Sequence, residues 1–421
     1  MNKHVSAALA SCLVVGALFG SAPATGSMAQ PGVVSEDPAN FTPNVVEGGG
    51  VNKTSVDAVA QLGGTLYAGG LFRSVERGGT TFTRNNLMSF NATTGAMNAF
   101  APNFDGKVFA LVATGNALYV GGYFNNVNGV ARRGLVKLNA ATGAVDTAFN
   151  ANLRGAVQEI RLSNGRLLVG GNFPQKLLAL NPATGANTGY INIPITGSVA
   201  SNAGATDVYR FAVNPAGTRL VALGNFTTVG GQSRSRAFML DLGAGSASLN
   251  DWYYQPLMNA CRANSLPAYM RDVDFSPDGS YFVVVTTGYI PFSGGVGRDL
   301  CDAAARFETN ISNPVRPTWI NYSGGDTFHS VAATGAAVYV QGHIRALDNP
   351  NGNDGPEPGS SPREGIGAIN PATGTALPWN PGKTRGVGGK DFLVTSSGLW
   401  VASDGARFNG ERRDNIAFLP L

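Results

Sequence analysis

The chain has 421 residues, of which 43% are hydrophobic and only 13% are charged, with a formal net charge of +4. This composition supplies enough apolar material for a sizeable core. The modest charge, without a block of Lys or Arg interleaved with aromatic residues, argues against a nucleic-acid or membrane-surface role. The 57 glycines suit an all-β chain with many tight turns.

The N-terminus predicts a secretory signal peptide over residues 1–29. A short basic start precedes the apolar run VSAALASCLVVGALFGSA. Small residues follow this run, and they offer two possible cleavage sites, after Ala24 and after Ala29. We expect a flexible mature N-terminus over residues 30–39 and a protein that is secreted, extracellular or held in the cell envelope. The segment LASC, which ends at Cys12, also matches a lipoprotein box, but the apolar run continues past it. No later segment is apolar enough to span a bilayer.

A unit of about fifty residues then repeats seven times. The stretch LYVGGYF is echoed as LYAGGLF, LLVGGNF, VALGNF and VYVQGHI, each preceded by an apolar strand and a turn and followed by a third strand and an aromatic fourth strand. Four-stranded units of this length are the signature of β-propeller blades. The equivalent second-strand positions are Gly70, Gly122, Gly171, Gly224, Gly288, Gly342 and Ser403.

The two ends of the chain predict how the ring closes. The last copy stops at its third strand, while Phe41 begins a segment, FTPN, that copies FAPN at Phe100. We therefore predict an all-β fold, a single seven-bladed propeller of four-stranded antiparallel blades over residues 40–421. A strand near residues 40–47 should pair with residues near 415–419 and complete the C-terminal blade. The Gly-Gly pairs permit a bulge or the close approach of an adjacent blade.

The second copy carries several short motifs in order, namely GGYF at 121–124, VNG at 127–129, Arg132, LN at 138–139 and TG at 142–143. With these motifs the chain resembles the delta-60 repeat propellers of secreted bacterial, often actinobacterial, proteins. The resemblance covers nearly the whole mature chain, although copies four to six replace the glycine-rich positions by Thr286-Thr287 and Val340-Gln341. It implies a propeller and no single activity.

Long loops point to one rim of the predicted ring. The 255–269 crossover and the 291–302 and 346–362 loops all fall on the rim of the second-to-third loops, and function in propellers sits on such loops. Cys261 and Cys301 fall on the same rim. In an oxidising compartment we expect them to form a disulfide rather than a metal site or two free thiols. The bridge would close a loop of about forty residues and stabilise the fold by a few kcal/mol.

An arginine recurs six residues before the third-strand apolar position in five copies. A ring of guanidinium groups could bind a carboxylated or sulfated polymer. Alternatively, each arginine ties its loop to a carbonyl or an aromatic ring of the neighbouring blade, and repetition in blade after blade favours this reading. The candidate ligand-binding residues are Arg84, Arg132, Arg234, Arg363 and Arg412.

Other polar clusters do not predict a catalytic, cofactor or metal site. An oxygen-rich loop could hold calcium, but its spacing does not fit an EF-hand and such loops are usually solvated. His329 and His343 fall on one predicted hairpin and lack a third metal ligand. The first strands near the central channel also carry carboxylates, but the sequence does not show whether any two of them lie at a catalytic distance from each other. The loop oxygens belong to Asp348, Asn351, Asn353, Asp354 and Glu357, and the channel carboxylates to Asp57, Glu159, Asp272 and Asp274.

The sequence thus predicts a secreted, non-enzymatic, monomeric propeller that acts as an interaction or carbohydrate-binding module, with a glycan or an extracellular protein as its partner. The alternative is a polysaccharide-acting hydrolase or lyase with a site at the channel mouth on the loop-rich rim. A purely structural scaffold is the third reading. An enzyme should cluster perturbed carboxylates, His or a metal at the mouth, whereas a binding module should expose aromatic and hydrogen-bonding groups.

Overall fold

The computed structural model describes residues 28–48, 53–291 and 295–421, so the predicted signal peptide lies outside the described residues except for its last two positions. The described residues form β-strands joined by turns. Among their helices none is long and apolar enough to cross a membrane. The 3-10 helices are Ser201–Ala203 and Gln255–Met258.

Seven of the sheets formed by the described residues share one design, in which three longer strands pair antiparallel in the order in which they occur along the chain. We number these sheets one to seven along the chain. Sheets one to three comprise Ser55–Leu62, Thr65–Leu71 and Leu87–Asn91; Lys107–Thr114, Ala117–Tyr123 and Leu135–Asn139; and Val157–Ser163, Arg166–Gly171 and Leu177–Leu180. Sheets four and five comprise Asp207–Val213, Arg219–Asn225, Ala237–Leu242 and Ala247–Leu249; and Met270–Phe275, Tyr281–Thr286, Ala303–Glu308 and Trp319–Tyr322. Sheets six and seven comprise Phe328–Ala333, Val338–Gly342 and Ile366–Ile369; and Gly389–Thr395, Gly398–Ser403 and Ile416–Pro420.

The predicted fourth strand is not formed in every sheet. A full fourth strand is present in sheets four and five, whereas an isolated bridge such as Phe90 with Met97 stands at this position in sheets one, two, three and six. Shorter strands form outer hairpins and small sheets in the loops. These are Asn44–Val46, Ser74–Arg77, Thr80–Thr83, Asn126–Val127, Val130–Ala131, Ile195–Thr196, Thr228–Val229, Gln232–Ser233, Ala346–Leu347, Ser361–Pro362, Arg407–Phe408 and Glu411–Arg412.

Each first strand carries a β-bulge opposite the second-strand position where several copies have a Gly-Gly pair. In sheet one the register shifts between Val56 and Ala58, and the same shift recurs at the equivalent place in the other six sheets. Glycine allows the next sheet to pack closely here, because a Cβ on Gly69 would lie 2.4 Å from a methyl carbon of Val108 in sheet two. The expectation of a bulge or a close approach at the glycine pairs is confirmed.

The core lies between consecutive sheets. The first strand of each sheet contacts the first strand of the next, and that of sheet seven contacts that of sheet one. Each apolar cluster accordingly draws residues from two neighbouring sheets, as where Val56 of sheet one and Trp400 of sheet seven share a cluster. Tyr67 illustrates the polar part of such a junction, since its hydroxyl donates to the Ala140 carbonyl at 2.8 Å. No sheet could bury its apolar faces alone.

The N-terminal segment pairs differently from the prediction. Asn44–Val46 pairs with Ser74–Arg77 of the loop in sheet one rather than with the last strand. The backbone amides that donate to the last strand belong to Ser35, bonded to the Pro420 carbonyl at 2.7 Å, and Ala39, bonded to the Phe418 carbonyl at 2.8 Å. The side chain of Phe41 packs on Trp400 and Phe418, after which the chain turns toward sheet one.

Residues 30–39, which the sequence predicts to be flexible, make specific contacts. The Gln30 side chain is 6% exposed, and its amide donates to the carbonyls of Thr395 and Gly398 at 3.0 and 3.1 Å. The backbone amide of Val34 donates to the Tyr339 hydroxyl at 2.9 Å. The segment is therefore anchored to sheets six and seven.

Candidate functional site

The long loops around sheets four and five enclose a cleft of 1110 Å³. Its walls come from the crossover that follows sheet four, the loop between the second and third strands of sheet five, and the connection before the last strand of that sheet. The cleft is of the size that small ligands and short oligomers occupy in proteins. The lining residues used below are Arg234, Asp251, Tyr253, Arg298 and Arg316.

A disulfide joins two walls of this cleft. Cys261 of the crossover is bonded to Cys301 of the sheet-five loop, with their Cα atoms 5.8 Å apart, and both side chains are buried. Hydrogen bonds hold the same walls together, because the Tyr254 hydroxyl donates to the Arg298 carbonyl at 2.5 Å and the Asn259 amide to the Asp299 carboxylate at 2.8 Å. Loops fixed in this way can present a binding surface without much ordering on binding.

The cleft is positively charged. Three arginines line it, and among the described lining residues Asp251 supplies the one carboxylate. Arg234 lies over the Tyr253 ring at 5.0 Å, and the exposed side chain of Arg298 makes only a long ion pair of 3.4 Å to Asp299. Arg316 forms no hydrogen bond or ion pair with any residue in the part of the chain that the structure describes. Exposed guanidinium groups beside tyrosine rings favour an anionic ligand with stacking faces.

The recurring arginines lie one per sheet, in the loops before the third strands. Arg84 shows their geometry, since it donates to the Thr83 carbonyl at 2.7 Å and to the Asn98 carbonyl at 2.6 Å. Arg132, Arg234 and Arg363 likewise donate to the carbonyl of the residue before them. The guanidinium groups of Arg84, Arg132 and Arg363 thus join their loop to the fourth-strand position of their own sheet, and only Arg234 lines the cleft.

In sheet seven the equivalent arginine is Arg413 and not the predicted Arg412. Arg413 donates to the Arg412 carbonyl at 2.6 Å and to the Pro38 carbonyl at 3.3 Å, whereas Arg412 is exposed and pairs with Asp414. The count of six residues failed because Leu419, rather than Phe418, occupies the third-strand position that Phe90 has in sheet one.

The channel carboxylates are engaged in contacts between and within sheets. Asp57 is paired with Lys107 at 2.8 Å, and Glu159 is paired with Arg161 and, at 3.5 Å, with Arg210. A cavity of 130 Å³ lies among these side chains. Sheets are also joined through carboxylates that accept backbone N–H groups, as Asp272 accepts that of Val331 at 3.0 Å. The other examples are Asp274 with Ala333 and Asp391 with Val59, each at 2.9 Å.

Burial raises the pKa of Asp272 to about 8 and that of Asp391 to about 7, although Arg210 near both favours their charged forms. The same burial opposes the charge of Arg210, but the carboxylates of Glu159 and Asp272 outweigh it and raise its pKa. The channel therefore contains perturbed carboxylates, each with a backbone N–H bonded to it. Such shifts accompany both catalysis and structural burial.

The oxygen-rich loop uses its side chains within the protein. Asp348 accepts hydrogen bonds from the Asn321 side chain at 2.5 Å and from the Ala376 amide at 3.1 Å. Asn353 accepts from the Tyr289 hydroxyl at 2.6 Å. Asp354 is paired with Arg345, and Glu357 accepts from the backbone of Asn351. Within the described ranges, no three His, Cys, Asp or Glu side chains are grouped so that they could hold a metal ion.

The two histidines are not cross-strand partners. His329 is the unpaired bulge residue of sheet six, since Phe328 pairs with Gly342 and Ser330 pairs with Gln341. His343 follows the second strand, is exposed and contacts the Gly386 carbonyl through Nδ1 at 2.7 Å.

Residues 116–149, most of sheet two, match a family model described as a domain of unknown function (DUF5122) beta-propeller. The fold is that of a β-propeller. The propeller is similar to the crystal structure of RRP9 WD40 repeats, with 11% identity, a TM-score of 0.51, and 91% of this chain and 98% of that chain covered. At this identity the likeness concerns the fold alone.

Two further solved structures are similar to the propeller at lower TM-scores. The computationally designed Ika8 protein has 10% identity and a TM-score of 0.47, with 94% of this chain and 100% of that chain covered. The hydrazine synthase of Kuenenia stuttgartiensis has 14% identity and a TM-score of 0.45, with coverages of 72% and 79%. A search of curated proteins finds no match.

Sequence reasoning identified the rim, the cysteines and Arg234, but it missed Tyr253, Arg298 and Arg316. Tyr253 could have been found from the sequence. Tyr253 and Tyr254 directly follow Trp252, the aromatic residue of the fourth-strand position, and directly precede the 255–269 crossover. Arg298 and Arg316 lie in segments that have no counterpart in the other repeats, so repeat comparison could not single them out.

Proposed function

We propose that the protein is a secreted, non-enzymatic β-propeller that acts as a binding module, with the cleft beside sheets four and five as its ligand site. The observation that carries this proposal is the 1110 Å³ cleft with three arginines and a tyrosine face on walls joined by a disulfide. A propeller fold suits this role, because its loops vary while the scaffold stays rigid.

The proposal includes a closed ring of seven blades of the delta-60 type. Its support is the cyclic contact of first strands, together with the hydrogen bond from the Val59 amide of sheet one to Asp391 of sheet seven. In this reading residues 35–39 take the fourth-strand position of sheet seven, with Ala39 where Asn98 stands in sheet one. Closure removes exposed sheet edges, which favours a soluble monomer.

The ligand class we propose is a glycan that carries carboxylate or sulfate groups. Guanidinium groups bind such oxyanions through paired N–H donors, and a tyrosine ring supplies a flat face for a sugar ring. Because the cleft lies on the surface and two of its arginines, Arg298 and Arg316, are exposed, we expect affinity to fall as salt rises. An extracellular protein with an acidic surface is the alternative partner.

A glycan array probed with the purified protein, with and without calcium, tests this proposal. We expect binding of anionic glycans and not of their neutral counterparts. Arg316→Ala should weaken binding about tenfold or more, since a lost charge-assisted hydrogen bond costs about 1.5–3 kcal/mol. Arg132→Ala is the matched control, because its guanidinium lies in sheet two, outside the cleft. Absence of binding to every anionic glycan would refute the glycan ligand.

The alternative of a polysaccharide hydrolase or lyase is favoured by one observation, the raised pKa values of Asp272 and Asp391 in the channel. Product analysis of every glycan that binds separates the two readings. Intact glycan supports the binding module. Shortened glycan that disappears with Asp272→Asn, but persists with Arg316→Ala, would establish an enzyme with its site in the channel.

A further inference from the structure

Three successive sheets place their bulge residue at the same depth of the channel. The unpaired residues are Arg271 in sheet five, His329 in sheet six and Lys390 in sheet seven. The bulges lie at the starts of the first strands, which is the end of each sheet from which the long second-to-third loops leave. These side chains therefore line the channel mouth on the loop-rich rim. The equivalent residues of sheets one to four are Asp57, Phe109, Gln158 and Tyr209.

The two cations of this arc differ from the other channel cations in their contacts. Lys107 and Arg161 form close ion pairs, and Arg210 donates to the Gln158 carbonyl at 2.7 Å. Arg271 and Lys390 form no side-chain hydrogen bond or ion pair with any residue of the described ranges. The Nε atom of Arg271 is fully buried and has no acceptor in the described part of the chain. A buried donor left without an acceptor costs about 1–3 kcal/mol, so this arrangement needs an explanation.

Among the described residues, no carboxylate forms an ion pair with either cation. Asp404, which lies near Lys390, accepts the backbone N–H groups of Val387 and Gly388, each at 3.0 Å. Asp57 is paired with Lys107. Asp302, the carboxyl group near Arg271, is buried, and burial raises its pKa well above the usual range, which disfavours its charged form.

His329 lies between the two cations. Burial lowers its pKa, and Lys390 and Arg271 lower it further, so the imidazole is neutral and adds no charge. Gly388 lets the following loop lie against the ring, because a Cβ there would be 2.1 Å from the Cδ2 atom of His329. The arc is thus a positively charged, partly desolvated wall in which the charged donors of Arg271 and Lys390 meet no acceptor among the described residues.

We propose that the channel mouth binds an oxyanion, a carboxylate or phosphate group of a ligand, between Arg271 and Lys390 and against His329. The guanidinium group supplies two parallel N–H donors and the ammonium group a point charge. The site is separate from the cleft beside sheets four and five, and it does not depend on the function proposed for that cleft.

The test uses the whole protein labelled with ¹⁵N at histidine and observed by NMR at fixed pH and ionic strength. Inorganic phosphate and acetate are titrated separately against chloride, so that the two oxyanion types are distinguished. We expect the His329 signals to shift saturably with at least one of them. His343 is the internal reference, since its exposed ring lies outside the arc.

Arg271→Gln and Lys390→Gln should each weaken the binding at least about tenfold, and Arg132→Gln should not. A cooperative urea-unfolding transition of each free variant shows that it is folded, because the His329 signals themselves respond to the loss of either charge. A linear response equal to that of chloride, or full binding retained in both variants, would overturn the proposal. If a variant fails to fold, the wild-type comparison of oxyanions with chloride still decides the question.

Discussion

Replacing Arg413 should destabilise the protein far more than replacing its neighbour Arg412. Arg413 is 8% exposed and donates to the carbonyls of Arg412 and Pro38, to the Asn40 side chain and to Glu411. It therefore ties the N-terminal segment to the loop of sheet seven. Arg412 is exposed, and its ion pairs, at 2.6 Å and 3.6 Å, are open to solvent.

The magnitude follows from these contacts. Arg413→Ala removes two hydrogen bonds to carbonyl groups, of which the one to Pro38 is buried, and at about 1.5 kcal/mol each this predicts a loss of about 3 kcal/mol. Arg412→Ala removes only exposed ion pairs, worth at most about 1 kcal/mol. Arg413→Ala should also loosen the contact between residues 35–39 and the last strand.

Urea unfolding of the two variants and the wild type, followed by tryptophan fluorescence, measures the difference in stability. Hydrogen exchange at the amides of Ser35 and Ala39 measures the contact itself. We expect faster exchange there in Arg413→Ala only. Equal losses of stability in the two variants, or the larger loss in Arg412→Ala, would refute both the assigned register and the anchoring role of Arg413.

Three further substitutions test other parts of the structure. Changing Cys261 and Cys301 together to Ser should lower stability by about 4 kcal/mol in the chain-entropy model, measured by urea unfolding without reductant; no change would mean that the bridge does not form. Asp302→Asn should stabilise the protein by about 1–3 kcal/mol above neutral pH: because the pKa of Asp302 is raised in the folded state, its contribution to stability falls as pH rises above the unfolded pKa of about 4, and the variant should lose that part of the slope, so that identical pH dependences of urea unfolding would contradict the argument. Gly69→Ala should cost about 1–3 kcal/mol by overpacking against sheet two, whereas Gly64→Ala, with open space around its Cβ position, should be nearly neutral; equal thermal midpoints would contradict the packing argument.

The repeat predicted the propeller because its physical causes are local. Strand order, tight turns and glycine pairs recur in the sequence. In the structure the repeated strands and turns form three-stranded antiparallel sheets, and a β-bulge lies opposite the glycine pairs. The fourth strands were overestimated, since the aromatic residue there marks where a side chain packs and not how much backbone is paired. In sheet one the paired amide is that of Asn98, two residues before Phe100, and Ala39 stands two residues before Phe41 in the same way.

The candidate sites were harder to predict, because they lie where the repeat breaks down. The arginine periodicity was visible, but spacing says nothing about the direction of a guanidinium group, and three of those groups point to carbonyls of their own sheet. Arg298 and Arg316 lie in segments without a repeat template. Arg271 and Lys390 stand out because no acceptor among the described residues pairs with their side chains. A sequence pattern cannot show that a contact is missing.

The hydrogen bond between Ala39 and Phe418 also constrains the order in which the protein folds. Its partners are separated by nearly the whole described chain, so it cannot form until the last strand is available. Contacts between consecutive sheets involve shorter loops and can form earlier. Until the two ends meet, the outer edge of sheet seven stays unpaired and able to accept a foreign strand. In the closed ring that we propose, this pairing therefore also protects that edge from aggregation.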